Sequence, residues 1–302
     1  MVGGAGRGGF RIKGRPGRAP RAREGPGSQA LAPVSHGPLV VGSRHQPNPS
    51  GLVISITPES AGWRYVGFDV YRLAHGQRIE RPTDGREVCL VMLTGQADVG
   101  FGGQTWSRIG GRQSVFDGPP DCVYAPPSGA LEVTAASGDC EVALAWAPAA
   151  HGVEPALIRA SQVKPFQRGS GATARTVHNL LMEDRPAESL LVTEVYTPGG
   201  HWSSYPPHKH DTDDLPRESM LEETYYHRTR RAEGFAMQLV YTDDRSLDET
   251  LRVRDGDVVL VPRGYHPVAA GPGYDLYYLN VMAGPHRRWL VTTDPEHRWQ
   301  LS

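Results

Sequence analysis

The sequence predicts an all-β chain of two antiparallel β-barrel domains with few short helices. Three observations carry this. Glycine (36) and proline (26) make about a fifth of the 302 residues, against roughly 12% in average usage, so turns are frequent. Short runs rich in branched and aromatic side chains recur between these turn signals, the pattern of a sandwich or barrel. The runs form two series separated by a polar stretch near 151–171, which suggests two similar domains and a diverged internal duplication.

In chain order, residues 1–35 are Gly, Pro, Arg and Ala with almost no large apolar side chains. They cannot bury enough surface to offset the entropy of ordering, and a disordered, dispensable basic tail is expected. The first domain, 36–155, carries the runs Leu52–Ile56, Trp63–Leu73, Glu87–Leu93, Gln96–Phe101, Cys122–Ala125, Leu131–Ala135 and Cys140–Trp146. The second, 156–302, carries Leu190–Tyr196, Glu223–His227, Phe235–Tyr241, Thr250–Val253, Val258–Val261, His266–Ala269 and Tyr274–Val281. A short helix is expected around Val177–Leu181, with no chemistry attached to it.

The formal net charge of −1 lacks the basic excess of a nucleic-acid-binding domain. Seven basic side chains fall within residues 1–24 and leave the rest of the chain acidic, but no aromatic interleaving accompanies them. No run approaches the roughly 18 apolar residues of a membrane span, and the N-terminus has no apolar secretory core. Cys89, Cys122 and Cys140 form no close-spaced pair. They give neither a disulfide framework nor a zinc–thiolate site, read as small buried apolar residues, and point to a cytoplasmic protein.

The chemistry concentrates in the second series. His208 and His210 stand two apart, so on a strand both imidazoles leave one face. The run Leu221–Arg228 opens with Glu222 and Glu223, and Glu218 lies just before it, giving three competing carboxylates. In Asp255–Pro267 an apolar strand meets a Pro-x-Gly bend that can swing His266 back into a barrel mouth. Three neutral imidazoles and one carboxylate suit a single divalent first-row ion with open positions. Zinc, manganese and iron all fit.

These residues resemble the cupin superfamily, whose double-stranded β-helix carries two His and a Glu in one motif and a further His after a Pro-x-Gly turn. Residues about 193–301, including Ser204–Asp211, Leu221–Arg228, Val240–Thr250, Gly256–Val268 and Tyr274–Pro285, look like the 5-deoxy-glucuronate isomerase family of myo-inositol catabolism. The resemblance implies a bicupin. Its metal ligands would be His208, His210, Glu223 and His266. Glu223 is chosen because the family's ligand glutamate precedes an x-aromatic pair, here Thr224-Tyr225. The N-terminal half resembles the family's first domain more loosely and has no histidine cluster around Ala125–Gly129, so it is expected to be metal-free.

The implied reaction converts 5-deoxy-D-glucuronate to 5-dehydro-2-deoxy-D-gluconate, with a small sugar acid as partner and no nucleic acid or membrane. Such an aldose–ketose shift passes through oxyanion charge that a metal stabilises. A carboxylate or tyrosine beside the metal would move the proton, with Glu222 and Tyr241 the candidates. Arg263, three residues before His266, is the expected anchor for the substrate carboxylate, with Arg245 its rival. Lys209, between the two histidines, should face the other way. Competing functions are a related uronate ketol-isomerase of pectin degradation, a cupin dioxygenase, and a non-enzymatic bicupin binding protein. Association into homo-oligomers is left open.

Overall fold

Period-two alternation explains how the chain builds two cores from one strand. In Arg86–Thr94 nearly every residue is buried because both faces are covered. Val88, Leu90 and Met92 enter one core while Cys89, Val91 and Leu93 enter another. The computed structural model describes residues 38–44 and 46–301. The expected tail, 1–35, lies outside the described residues.

In the N-terminal half a six-stranded antiparallel sheet runs in the order Ala156–Ile158, Cys122–Ala125, Arg86–Thr94, Cys140–Pro148, Gly67–Leu73, Leu52–Ile56. It shares an apolar core with a four-stranded sheet of Arg78–Pro82, Ala130–Ala135, Gln96–Phe101 and Gln104–Gly110. The C-terminal half repeats the plan. Its seven-stranded sheet runs Val40–Val41, Val258–Val261, Glu222–Thr229, Leu276–Ala283, Leu191–Thr197, Arg175–Leu181, Pro165–Arg168. This sheet shares a core with a four-stranded sheet of Trp202–Ser203, Val268–Ala270, Phe235–Tyr241 and Asp248–Arg254.

The two larger sheets meet through a further core that takes Phe68 and Val91 from one half and Tyr277, Leu279 and Val281 from the other. Tyr226 packs on Phe68 across this seam, with ring centroids 5.7 Å apart. The boundary expected near residue 155 is crossed twice. Val40–Val41 pairs with Val258–Val259 in the C-terminal sheet, and Ala156–Ile158 pairs with Cys122–Tyr124 in the N-terminal one. Among the described residues no helix is long and apolar enough to cross a membrane.

Two local expectations need correction. Residues around Val177–Leu181 form no helix: Arg175–Leu181 is a strand between Pro165–Arg168 and Leu191–Thr197. Its apolar residues at 177, 180 and 181 resemble a helical stripe, but β-bridging on both sides satisfies its backbone and overrides that weak signal. The strand expected from Trp63 starts at Gly67, because the amides of Arg64, Tyr65 and Val66 donate instead to the Glu222 carboxylate. Gly67 itself is required there, since a Cβ would lie 2.0 Å from the Trp146 ring.

Candidate metal centre and substrate cavity

The site is assembled from three places in the chain. His208 lies on the short strand His208–Lys209, which pairs with Thr292–Thr293, and His210 follows it. Glu223 comes from the strand Glu222–Thr229. His266 follows the bend at Gly264, where φ is +88° and a Cβ would meet the Tyr241 carbonyl oxygen at 2.3 Å, so only glycine lets the chain turn back here.

His210, Glu223 and His266 offer ligand atoms that all lie within 4.8 Å of one another, and all three residues are buried. Glu223 Oε2 is 3.0 Å from His210 Nε2 and 3.2 Å from His266 Nε2. His208 stands beside this group, its ring 5.1 Å from that of His266 and 6.5 Å from that of His210.

The other ring nitrogens decide what the group can hold. Nδ1 of His208 donates to the Pro206 carbonyl (3.3 Å), that of His210 to Leu221 (3.1 Å), and that of His266 to Gly264 (2.8 Å). A carbonyl only accepts, so each Nδ1 carries the proton and each neutral ring presents an Nε2 lone pair. Two such lone pairs and a carboxylate oxygen therefore converge, an arrangement that calls for a cation. His266 Nε2 is buried and has no hydrogen-bond partner among the described residues. Backbone carbonyls behind metal-binding imidazoles fix ring orientation in the same way, and the donor set fits a divalent metal ion.

Electrostatics agree. Burial pushes the Glu223 carboxyl up, but the imidazoles of His210 and His266 beside it outweigh that and hold the group down at about 2. Burial, reinforced by the neighbouring imidazoles, lowers His208 to about 3. An ionised carboxylate beside a neutral imidazole is the ligand form of both residues.

A cavity of about 550 Å³ opens beside this group and is lined by both His208 and Glu223. Its floor is one face of the seven-stranded sheet: Arg175, Val177 and Asn179 on one strand, then Tyr278 and Asn280 on another. Tyr225, also lining, bonds through Oη to Ser204 Oγ at 2.9 Å, and its ring centroid is 5.7 Å from that of His266. Ser204 holds φ at +49°, a strained value for a residue with a side chain, in the cavity wall.

The expected site residues fall into two groups. Of the three competing carboxylates, Glu223 alone joins the imidazoles. Glu218 accepts from the Asp211 and Thr212 amides. Glu222, expected as a proton carrier, turns to the opposite face of the sheet and caps the amides of Arg64, Tyr65 and Val66. Tyr241 donates to Asp294 at 2.7 Å, and Arg245 lies over the Tyr241 ring at 4.2 Å. Arg263 reaches Ser246 Oγ at 3.3 Å. None of these last three lines the cavity. Lys209 bonds Asp211 at 2.7 Å and does not line the cavity.

Sequence reasoning missed the guanidiniums that do line the cavity, Arg168 and Arg175. The available signal was the alternation Arg175-x-Val177-x-Asn179, which a helical reading of that segment hid. Tyr225, buried in the core, also forms part of the cavity wall.

Residues 39–300 match the model of the KduI/IolB family. The 5-deoxy-glucuronate isomerase of Geobacillus kaustophilus (strain HTA426) is 55% identical over 259 residues, which cover 85% of this chain and 93% of that protein. That of Bacillus subtilis (strain 168) is 48% identical over 252 residues, 83% of this chain and 93% of that protein. Among solved structures, an IolB-like protein from Salmonella typhimurium LT2 superposes with a TM-score of 0.85 at 47% identity, covering 88% of this chain and all of that one (100%). Oxalate decarboxylase from Lactobacillus farciminis superposes with a TM-score of 0.62 at 13% identity over 86% of this chain and 89% of that one, a likeness that shows the bicupin fold alone. On the extent of the family match and the identity to its relatives, this chain belongs to the KduI/IolB family.

Proposed function

We propose that the protein is a metal-dependent aldose–ketose isomerase that converts 5-deoxy-D-glucuronate to 5-dehydro-2-deoxy-D-gluconate, as the name of its relatives suggests. The observation that carries this reading is the convergence of imidazole lone pairs and one carboxylate on the wall of a cavity of about 550 Å³. His208, His210, Glu223 and His266 are the proposed ligands, and zinc, manganese or iron the proposed ion.

The reaction moves hydrogen from the hydroxyl-bearing carbon to the adjacent aldehyde carbon and leaves the formula unchanged. A divalent ion in this site supplies Lewis acidity for the carbonyl and neighbouring hydroxyl, where oxyanion charge develops. Tyr225 is the hydroxyl the cavity offers next to the imidazoles. Burial and the charge of Glu223 push its phenol well up, so it stays protonated and can donate to a substrate oxygen. Ser204 Oγ, bonded to Tyr225 Oη, fixes its direction. Asn280, buried in the cavity wall with an amide nitrogen that makes no geometric hydrogen bond among the described residues, can donate to a substrate hydroxyl.

The test is isomerisation of 5-deoxy-D-glucuronate by protein stripped of metal and then restored with zinc, manganese or iron. Turnover is expected to vanish and return with the metal, without oxygen uptake. Absence of any metal-dependent turnover overturns the assignment, and oxygen consumption points to a dioxygenase instead.

A further inference from the structure

We propose that Arg175, assisted by Arg168 at the cavity rim, forms the subsite that grips the carboxylate of the sugar acid. This deepens the isomerase reading and rests on it.

Arg168 and Arg175 are register partners across the hairpin that joins their strands, and both line the cavity. Cross-strand partners share a face, and like charges directly opposite are destabilising. Arg175 is only 8% exposed. Burial, and for Arg168 also the charge of Arg175, lowers the proton affinity of both guanidiniums. Among the described residues neither forms an ion pair with a carboxylate, so a largely desolvated positive charge at Arg175 stands beside the exposed one of Arg168, in want of an anion.

Both side chains are held in place. Arg175 Nη1 donates to the Thr173 carbonyl at 3.0 Å, which uses one of its five donors. At Gly169, where φ is +71°, a Cβ would lie 2.8 Å from Arg175 Nη1, so the turn leaves room for the guanidinium. Arg168 lies over the Trp289 ring at 4.6 Å, and that ring meets His208 edge-on at 6.0 Å. Contacts thus run from Arg168 through Trp289 to His208. Two acids share the rim. Glu183 is engaged by Arg288 at 2.8 Å, leaving Asp184 against two guanidiniums.

A carboxylate can take two parallel N–H bonds from one guanidinium and a further bond from the second. A substrate anchored in this way presents its other end, the hydroxyaldehyde, to the imidazoles and Tyr225. Arg263 and Arg245, outside the cavity, have no such access.

The experiment compares Arg175→Gln, Arg175→Lys and Arg168→Gln with wild type in two measurements. The first is calorimetric binding of D-gluconate and of uncharged D-gluconamide; the second is KM and kcat for 5-deoxy-D-glucuronate, with metal content monitored. Arg175→Gln is expected to lose the preference for the acid over the amide. Its KM should rise on the order of a hundredfold, with kcat changed far less and metal content intact. Arg168→Gln should show a several-fold loss, and Arg175→Lys should recover part of the preference. An unchanged acid-to-amide ratio in Arg175→Gln overturns the subsite while leaving the isomerase reading standing. Should that variant fail to fold, unchanged ratios in both Arg175→Lys and Arg168→Gln overturn it equally. A wild type that does not isomerise but loses gluconate selectivity in the variants refutes the isomerase reading and keeps the subsite.

Discussion

Glu87 and Glu222 perform the same task in opposite directions across the seam between the two halves. Glu87, on the N-terminal strand Arg86–Thr94, accepts the amides of Glu188, Ser189 and Leu190 from the C-terminal half. Glu222, opening the C-terminal strand Glu222–Thr229, accepts those of Arg64, Tyr65 and Val66 from the N-terminal half. The reciprocity supports the duplication suggested by the two series of strands. It also gives neighbouring Glu222 and Glu223 different fates, since successive residues of a strand face opposite sides.

Glu222→Gln should therefore destabilise the protein without touching the metal. An amide nitrogen replaces one acceptor oxygen in a buried, charge-assisted set, at a cost of roughly 1.5–3 kcal/mol. Glu223→Gln should show the reverse, lost metal with a small change in the melting of the stripped protein. Thermal melts paired with elemental analysis separate the two, and metal loss in Glu222→Gln would contradict the assignment.

Metal binding should appear as stability. A ligand that binds only the folded chain contributes about 2.7 kcal/mol at a hundredfold excess over Kd, and chelation should lower the melting temperature by several degrees. The His266→Ala variant should melt at the same temperature with and without chelator.

Across the seam, Arg112 of the N-terminal half pairs with the fully buried Glu194 at 3.2 Å, and His178 bonds the same carboxylate at 2.7 Å. Removing Arg112 leaves a buried charge with reduced compensation, so Arg112→Met should cost about 3–5 kcal/mol. The double variant Arg112→Met, Glu194→Leu should recover much of that loss in denaturant titrations. A double variant no better than the single would show that packing, not charge, is at stake.

His227 is buried, its Nε2 donating to Gln238 Oε1 at 2.9 Å, and burial lowers it to about 4 from the ordinary 6.5. The unfolded chain binds this proton more readily than the folded one, so the neutral ring is costless above 6.5. Stability falls as pH drops from 6.5 toward 4, by on the order of 2–3 kcal/mol in all. His227→Leu should flatten the slope of unfolding free energy against pH in that window. An equal slope in wild type and variant would remove His227 from the acid response.

Much of this molecule is written in local pattern. The turn-bounded runs Leu52–Ile56, Gln96–Phe101, Cys122–Ala125, Phe235–Tyr241 and Val258–Val261 are strands with the same limits in the structure. There the alternation and the turn residues act over neighbours in the chain. The histidine spacing and the Pro-x-Gly bend likewise marked His210 and His266, because a side chain's face on a strand and a glycine's backbone freedom are local properties. Which carboxylate joins them, by contrast, follows from which face of the sheet meets the other half, and adjacent Glu222 and Glu223 are alike in composition. The arginines show the same limit. Arg263 is close to His266 in sequence yet outside the cavity, while Arg175, some ninety residues earlier, lines it. Sequence determines which residues can do the chemistry. Only sheet pairing and the packing of two sheets back to back decide which of them share a cavity, because those contacts join residues far apart in the chain.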